Sequence, residues 1–444
     1  MLVRARMRNV LASLSLALVA TGCASTEPSA EDNPFLQDLP DDGKEDSAYM
    51  NPDGIEVEVD LEGDVVASAT RIDEGPIAIG QFAMTYFRKQ ETMYIESLAE
   101  DGTAANRAEW LHNGQWYTAD RLPAGAVKSH WRLTGLNTVL LFEHAQGLTV
   151  GKQFTAKVPK NPFTVMTDAR ETCADSEDHI TLDQSVYWYR WEPDQTRCTI
   201  PLQDLKVTVS KKFPTLQSTR YPEYDQLVAD KKLTVVVLFG QIDDGAITAS
   251  ETGMRNFAKY GTWLKAAGYA EVTAPLGKRY EKTLVGNVKA QIDLYSPKEF
   301  SGLGDFGHFA NFQKALSEHE IIAYDGHSML GASDFWARPT YPSFYQIFLY
   351  GGCLGYEYYV KPILHGKQDS WAKLDIVSSV IEVTASANEF AAPAIAKLIY
   401  SIEHGKRSSW RSVLLEVRRN VGDSTFGVSG VKENCFTPTG SRCQ

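Results

Sequence analysis

The chain has 444 residues, enough for two domains with appendages. Apolar residues make up 43% and charged residues 23%, which excludes a wholly disordered chain, a collagen-like chain and a small disulfide scaffold. A formal net charge of −12 argues against nucleic acid as a partner, because phosphate binding needs a basic footprint.

Arg4, Arg6 and Arg8 form a basic leader, and Val10 to Ala20 is an apolar run too short to span a bilayer as a stable helix. The following Ala20-Thr21-Gly22-Cys23 resembles the lipobox of bacterial lipoproteins, with Ala20 in place of the usual Leu. That resemblance implies that residues 1–22 are a signal peptide, that Cys23 is acylated, and that the protein is lipid-anchored in a bacterial cell envelope, at the outer membrane. A plain secretory signal with an incidental Cys23 is the alternative. Residues 23–54 then read as a tether: rich in Asp and Glu against one base, Lys44, with Pro28, Pro34 and Pro40, they hold little that can be buried.

Residues 55–213 show period-two patterning. Ile55–Asp60, Ile77–Phe82, Thr138–Phe142, Ser185–Trp191 and Leu205–Ser210 all read as strands, and no run of helical period stands out. An antiparallel β-sandwich is expected. Of Tyr187, Trp188, Tyr189 and Trp191, alternate rings are expected to pack its core and the others to cover an edge, with a sugar-stacking platform as the alternative. A linker, 214–231, follows.

Residues 232–422 alternate strand and helix. Leu233–Phe239 is the apolar run of a strand covered on both faces. Thr248 and Glu251 stand at capping-box spacing ahead of a helix containing Met254, Phe257 and Leu264. Glu271–Ala274 is a short strand, and Tyr280–Tyr295 a hairpin turning at Gly286-Asn287. Phe309, Phe312 and Leu316 mark a helix; Glu320–Tyr324, Gln346–Tyr350 and Asp375–Val383 are further strands. Helices near 389–404 and 409–421 close the domain. The pattern predicts an α/β fold with a mostly parallel sheet flanked by helices, whose ligands gather at the carboxyl ends of the strands.

Six cysteines occur, at 23, 173, 198, 353, 435 and 443. In an exported chain Cys173 should pair with Cys198, and Cys435 with Cys443 within the 423–444 tail. Cys353 is left over. It follows one predicted strand in Gly351-Gly352-Cys353, as His327 follows another in Asp325-Gly326-His327-Ser328. If those strands are neighbours, a thiol and an imidazole leave the same sheet edge, as a Cys–His dyad requires. The null alternative is a buried, inert Cys353.

An apolar strand ending in His, a spacer, and an apolar strand ending in Cys resembles the caspase-like (clan CD) cysteine peptidases. The resemblance covers residues 232–421. It implies that Cys353 is the nucleophile and His327 its proton carrier, with peptide or protein as substrate. The family usually has Gly after its His, where this chain has Ser328, and the 26-residue spacing is short. Backbone amides at Gly326 and Gly352 are candidates for an oxyanion hole, and Asp325 and Asp334 for local charge or recognition of a basic side chain.

Other chemistries compete. Gly326-His327-Ser328-Met329-Leu330-Gly331 is one residue too long for a serine-hydrolase elbow; a Ser328 triad would draw on His365 or His404 with Asp369 or Asp375. Gly302-Leu303-Gly304-Asp305-Phe306-Gly307 matches a dinucleotide-binding pattern but does not follow its strand directly, and reads better as a loop entering a helix. His319-Glu320 lacks the second His of a zinc helix, so neither metal nor cofactor is expected. His308, His319 and His404 are expected at helix ends, solvated or facing the dipole. A surface or adhesion lipoprotein without catalysis is the competing class.

Overall fold

The computed structural model describes residues 49–96, 98, 107–165, 172–175, 188–213, 220–328, 333–383, 391–422 and 425–443. The signal, lipobox and most of the tether, with Cys23, lie outside the described residues. No helix among the described residues is long and apolar enough to cross a membrane.

The first half is built on strands β1 (Gly54–Asp64), β2 (Tyr94–Ile95), β3 (Glu109–His112), β4 (Gln115–Thr118), β5 (His130–Leu141), β6 (Gln153–Pro159) and β7 (Leu202–Lys212). They form one antiparallel sheet in the order β4-β3-β5-β1-β7-β6, with β2 also on β5. The alternation in β1 makes it one-sided: Val57, Val59 and Leu61 are fully buried, while Glu58, Asp60 and Glu62 are partly exposed.

What covers the apolar face is helix α1 (Gly75–Lys89) rather than a second sheet. The strand expected at Ile77–Phe82 is therefore corrected to helix. The six-residue alternation there is short. Pro76 sits in the first turn, and Ile79, Phe82, Ala83 and Phe87 bury one face at helical spacing. Gly80 lets the helix approach closely, since a Cβ there would run into the Leu98 side chain. Of the strand expected at Ser185–Trp191, residues 185–187 lie outside the described residues. Its described part, Trp188–Arg190, is a turn, and Trp191 bridges Ala174 beside the Cys173–Cys198 disulfide. Tyr189 and Trp191 are buried, as core packing predicts.

The second half contains β8 (Lys232–Phe239), β9 (Ala270–Val272), β10 (Lys278–Thr283), β11 (Lys289–Tyr295), β12 (Ile321–Asp325), β13 (Gln346–Tyr350), β14 (Leu374–Ser379) and β15 (Phe426–Ser429). Their order is β15-β14-β13-β12-β8-β11-β10-β9. The central five are parallel, and β15, β10 and β9 run antiparallel at the edges. The predicted hairpin turn is present, with Gly286 and Asn287 at positive φ.

Helices α2 (Thr252–Ala266), α7 (Ala391–Glu403) and α8 (Trp410–Val421) cover one face. Helices α3 (Phe309–Glu318), α4 (Ser333–Ala337), α5 (Gly355–Tyr358) and α6 (Val360–Gly366) belong to the other. Valines 235–237 and Leu238 are fully buried between them, each stabilising the fold by roughly 1.5–3 kcal/mol. One detail differs from the expected capping box: Glu251 is itself the N-cap of α2, accepting from the amides of Gly253 and Met254. Its longer carboxylate also reaches the Ile242 amide, tying the helix start to the loop after β8.

All described residues belong to one unit, Asp38–Gln444. Tyr94, Val139, Leu141 and Tyr189 of the first half share a core with Tyr350, Tyr356 and Tyr359 of the second. Tyr49 closes the junction. Its hydroxyl donates to the carbonyls of Ser378 and Thr425, and its amide donates to Glu56 of β1. Cys435 and Cys443 are bonded, as expected.

Candidate functional site

Strands β12 and β13 are adjacent and parallel, with Tyr324 opposite Tyr350. Their carboxyl ends therefore release Gly326-His327 and Gly352-Cys353 at the same edge of the sheet. The reversal of strand order between β8 and β12 opens a crevice at this edge, where doubly wound sheets collect ligands.

The two side chains take different partners. His327 is exposed, and its Nε2 lies 2.9 Å from the Ile242 carbonyl oxygen, in the loop after β8. A carbonyl only accepts, so Nε2 carries the proton and Nδ1 is left as the base. Cys353 is the free cysteine of the described residues. The Val383 amide donates to its Sγ at 3.3 Å, and Sγ reaches the Val383 carbonyl at 3.6 Å, in the loop after β14. No hydrogen bond joins the sulfur to the imidazole among the described residues. Burial pushes the Cys353 thiol above its ordinary range; the Val383 amide and Arg88 act against that, and Glu382 adds to it.

Ser328 is held as a strut. Its Oγ donates to the Cys353 carbonyl at 2.7 Å and lies 2.7 Å from the Tyr350 hydroxyl, with neither His365 nor His404 bonded to it. His365 instead pairs with Asp369 at 3.7 Å, and His404 stacks on Tyr400. Asp375 is buried far from Ser328's partners, accepting from Tyr345, Trp410 and Asn434. Gly352 is needed beside the strut, because a Cβ there would collide with Ser328 Oγ and the Tyr350 ring. The amides of Gly326 and Gly352 make no hydrogen bond among the described residues.

Asp325 is buried on the opposite face, where Asn256 Nδ2 stands 3.4 Å from its carboxylate. With Phe239, Lys259, Tyr260 and Trp263 it lines a cavity of about 120 Å³ at the carboxyl end of β8. Asp334 lies on α4, its side chain outside the described residues. The Gly302/Gly304 segment is the loop between β11 and α3, both glycines at positive φ, braced by Ser301 on Asp305. His308 is exposed and pairs with Asp305, as a helix-end His can. His319 is not solvated but does serve the helix end, as the other half of that expectation has it: its Nδ1 lies 2.8 Å from the Ala315 carbonyl in the last turn of α3. It is fully buried, donating toward Asp293 at 3.1 Å while Asp293 also holds Arg279 in a two-pronged pair. Among the described residues no group of three His, Cys, Asp or Glu could hold a metal ion.

Sequence reasoning missed the charges nearest the thiol. Arg88 at the end of α1 is buried, donates to the Tyr189 carbonyl at 3.0 Å and lies 3.9 Å from Glu382. Glu357 on α5 is also buried, and burial pushes its carboxyl up to about 8 against the pull of Arg88. Glu357 lies four residues after Cys353, on the helix that begins at Gly355. Arg88 comes from the other half of the chain, and no spacing announces it.

The chain matches no family model, and no curated protein matches it.

Proposed function

We propose that the chain is a cell-envelope lipoprotein whose second half is a caspase-like cysteine peptidase domain. Cys353 is its nucleophile and His327 its proton carrier. The observation that carries this reading is the pairing of β12 with β13, which brings the only free thiol of the described residues and a histidine to one edge of a parallel sheet. In the reaction the Cys353 sulfur attacks a peptide carbonyl carbon, and its proton passes to His327 Nδ1 and on to the leaving amine. Water then hydrolyses the thioester. The unengaged amides of Gly326 and Gly352 suit the oxyanion, a donor worth on the order of 3 kcal/mol each. Asp325, on the wall of the nearby cavity, suits a basic substrate side chain.

The arrangement seen is a resting one. Catalysis requires His327 to leave the Ile242 carbonyl and Cys353 to leave Val383, exchanges that a bound peptide backbone can drive with its own amides and carbonyls. The second reading is a surface lipoprotein with a non-catalytic domain; the raised thiol and its bonds to Val383 favour it. A serine hydrolase is a weaker reading, since Ser328 spends its proton on the Cys353 carbonyl.

Purified full-length protein is to be incubated with unfolded protein substrates and fragments read by mass spectrometry. Cleavage lost in both Cys353→Ala and His327→Ala supports the peptidase. Cleavage that survives Cys353→Ala, or none by wild type across pH 5–9, sinks it. The mass of the N-terminal peptide tests acylation of Cys23.

A further inference from the structure

The groups around Cys353 come from both halves of the chain. Arg88 and Tyr189 belong to the first half; Glu357, Glu382 and Val383 belong to the second. The Arg88 guanidinium lies 4.3 Å from the centre of the Tyr189 ring and 3.9 Å from Glu382 Oε1. The Tyr189 hydroxyl donates to that same oxygen at 2.5 Å. Glu382 is covalently joined to Val383, whose amide and carbonyl both engage the Cys353 sulfur. An unbroken line of contacts therefore runs from α1 of the first half to the thiol of the second.

Two carboxyl groups share this place. Glu357 is 3% exposed, and its Oε1 has no hydrogen-bond partner among the described residues. A lone clamp between the halves would need one carboxylate. Beside the buried Arg88 stand the Tyr189 ring and the Glu382 carboxylate, the latter 37% exposed.

We propose that Arg88 is a positioning residue of the Cys353 site: through Glu382 it holds the Glu382–Val383 segment against the sulfur and offsets the charge of that carboxylate beside the thiol, so that the site is complete only when both halves of the chain are present. This rests on reading Cys353 as the reacting group, but not on peptide hydrolysis. Among the described residues, Glu382 opposes ionisation of the thiol and Arg88 favours it, while Glu357, Tyr189, Tyr358 and Glu382 act on Arg88. Taking Arg88 away removes a positive charge from beside Glu382. A neighbouring cation favours the thiolate and a neighbouring carboxylate opposes it.

The test is the rate at which iodoacetamide alkylates Cys353 in the folded full-length chain, followed between pH 6 and 10 by mass spectrometry of the peptide carrying that residue. Arg88→Met should slow alkylation at pH 8 on the order of fivefold and move the profile to higher pH. Arg88→Lys should keep most of the rate. Glu382→Gln, which can still accept from Tyr189, should speed it. An unchanged or faster rate in Arg88→Met overturns the proposal, since a purely structural plug would expose the thiol rather than quieten it. If Arg88→Met loses its cooperative thermal transition, the other two variants decide: Glu382→Gln at or below the wild-type rate overturns the proposal. Because alkylation needs no substrate, an inactive peptidase leaves this inference standing. Conversely, intact Cys353-dependent cleavage with an unshifted profile sinks only the role of Arg88.

Discussion

His327 and Cys353 stand at the tips of neighbouring parallel strands yet turn to opposite flanks, the imidazole to the Ile242 carbonyl beside β8 and the thiol to Val383 beside β14. The backbone thus satisfies the first requirement of a dyad, and the side chains are parked on backbone groups. For a thiol with no cationic hydrogen-bond partner, parking is the expected resting choice, because burial penalises its charged form.

The exposed position of His327 separates its chemistry from its structural weight. His327→Ala should change stability by less than about 0.5 kcal/mol and lower Cys353-dependent hydrolysis by about 10² or more. Thermal melts and single-turnover cleavage check the two halves of this statement. A large loss of stability with hydrolysis intact would remove His327 from the site.

Ser328 should behave in the opposite way. Ser328→Ala breaks the contacts to Tyr350 and to the Cys353 carbonyl, and should cost about 1–2 kcal/mol in urea unfolding. Any hydrolysis should persist within a few-fold. Complete loss of hydrolysis in a folded Ser328→Ala variant would revive the serine reading.

Asp375 and Glu357 each make stability fall as pH rises. Burial pushes Asp375 from 3.8 up to about 7, even though Tyr345, Asn434 and Trp410 donate to it, and pushes Glu357 up to about 8. Between the unfolded and folded values the native state binds the extra proton, so these groups contribute stability that is present below about pH 4 and lost as pH rises through 7 to 8. For Asp375 the loss is on the order of a few kcal/mol. Asp375→Asn should flatten the fall in Tm between pH 5 and 8. A wild-type Tm that climbs through that window, and climbs equally in the variant, would show that these carboxyls ionise normally.

His319 couples α3 to the β10–β11 edge through Asp293, which Arg279 also holds. His319→Ala should cost about 2–4 kcal/mol, because it opens a cavity and leaves a buried carboxylate with one partner fewer. Urea denaturation with intact alkylation of Cys353 would show that the loss is structural and local.

Much of the second half was legible in the sequence. The apolar runs at Leu233–Phe239, Glu320–Tyr324 and Gln346–Tyr350 can only be strands covered on both faces, and the Gly286-Asn287 turn and the α7 and α8 stripes follow from local rules. Both disulfides were also legible, once the leader is read as a signal for export, because cysteines that can meet are then expected to pair. The first half was read less well. Ile77–Phe82 alternates like a strand over six residues, and only the apolar face of the sheet, offering burial at helical spacing to Ile79, Phe82 and Phe87, decides for helix. Likewise His319 became a buried partner of Asp293 through tertiary placement. The sequence determined the central strands of the second half and that one cysteine is left over, because those depend on local pattern and on counting. The rotamers of His327 and Cys353, and the arrival of Arg88 beside Glu382, were decided by the tertiary structure alone, because they depend on surfaces brought together from residues tens to hundreds of positions apart.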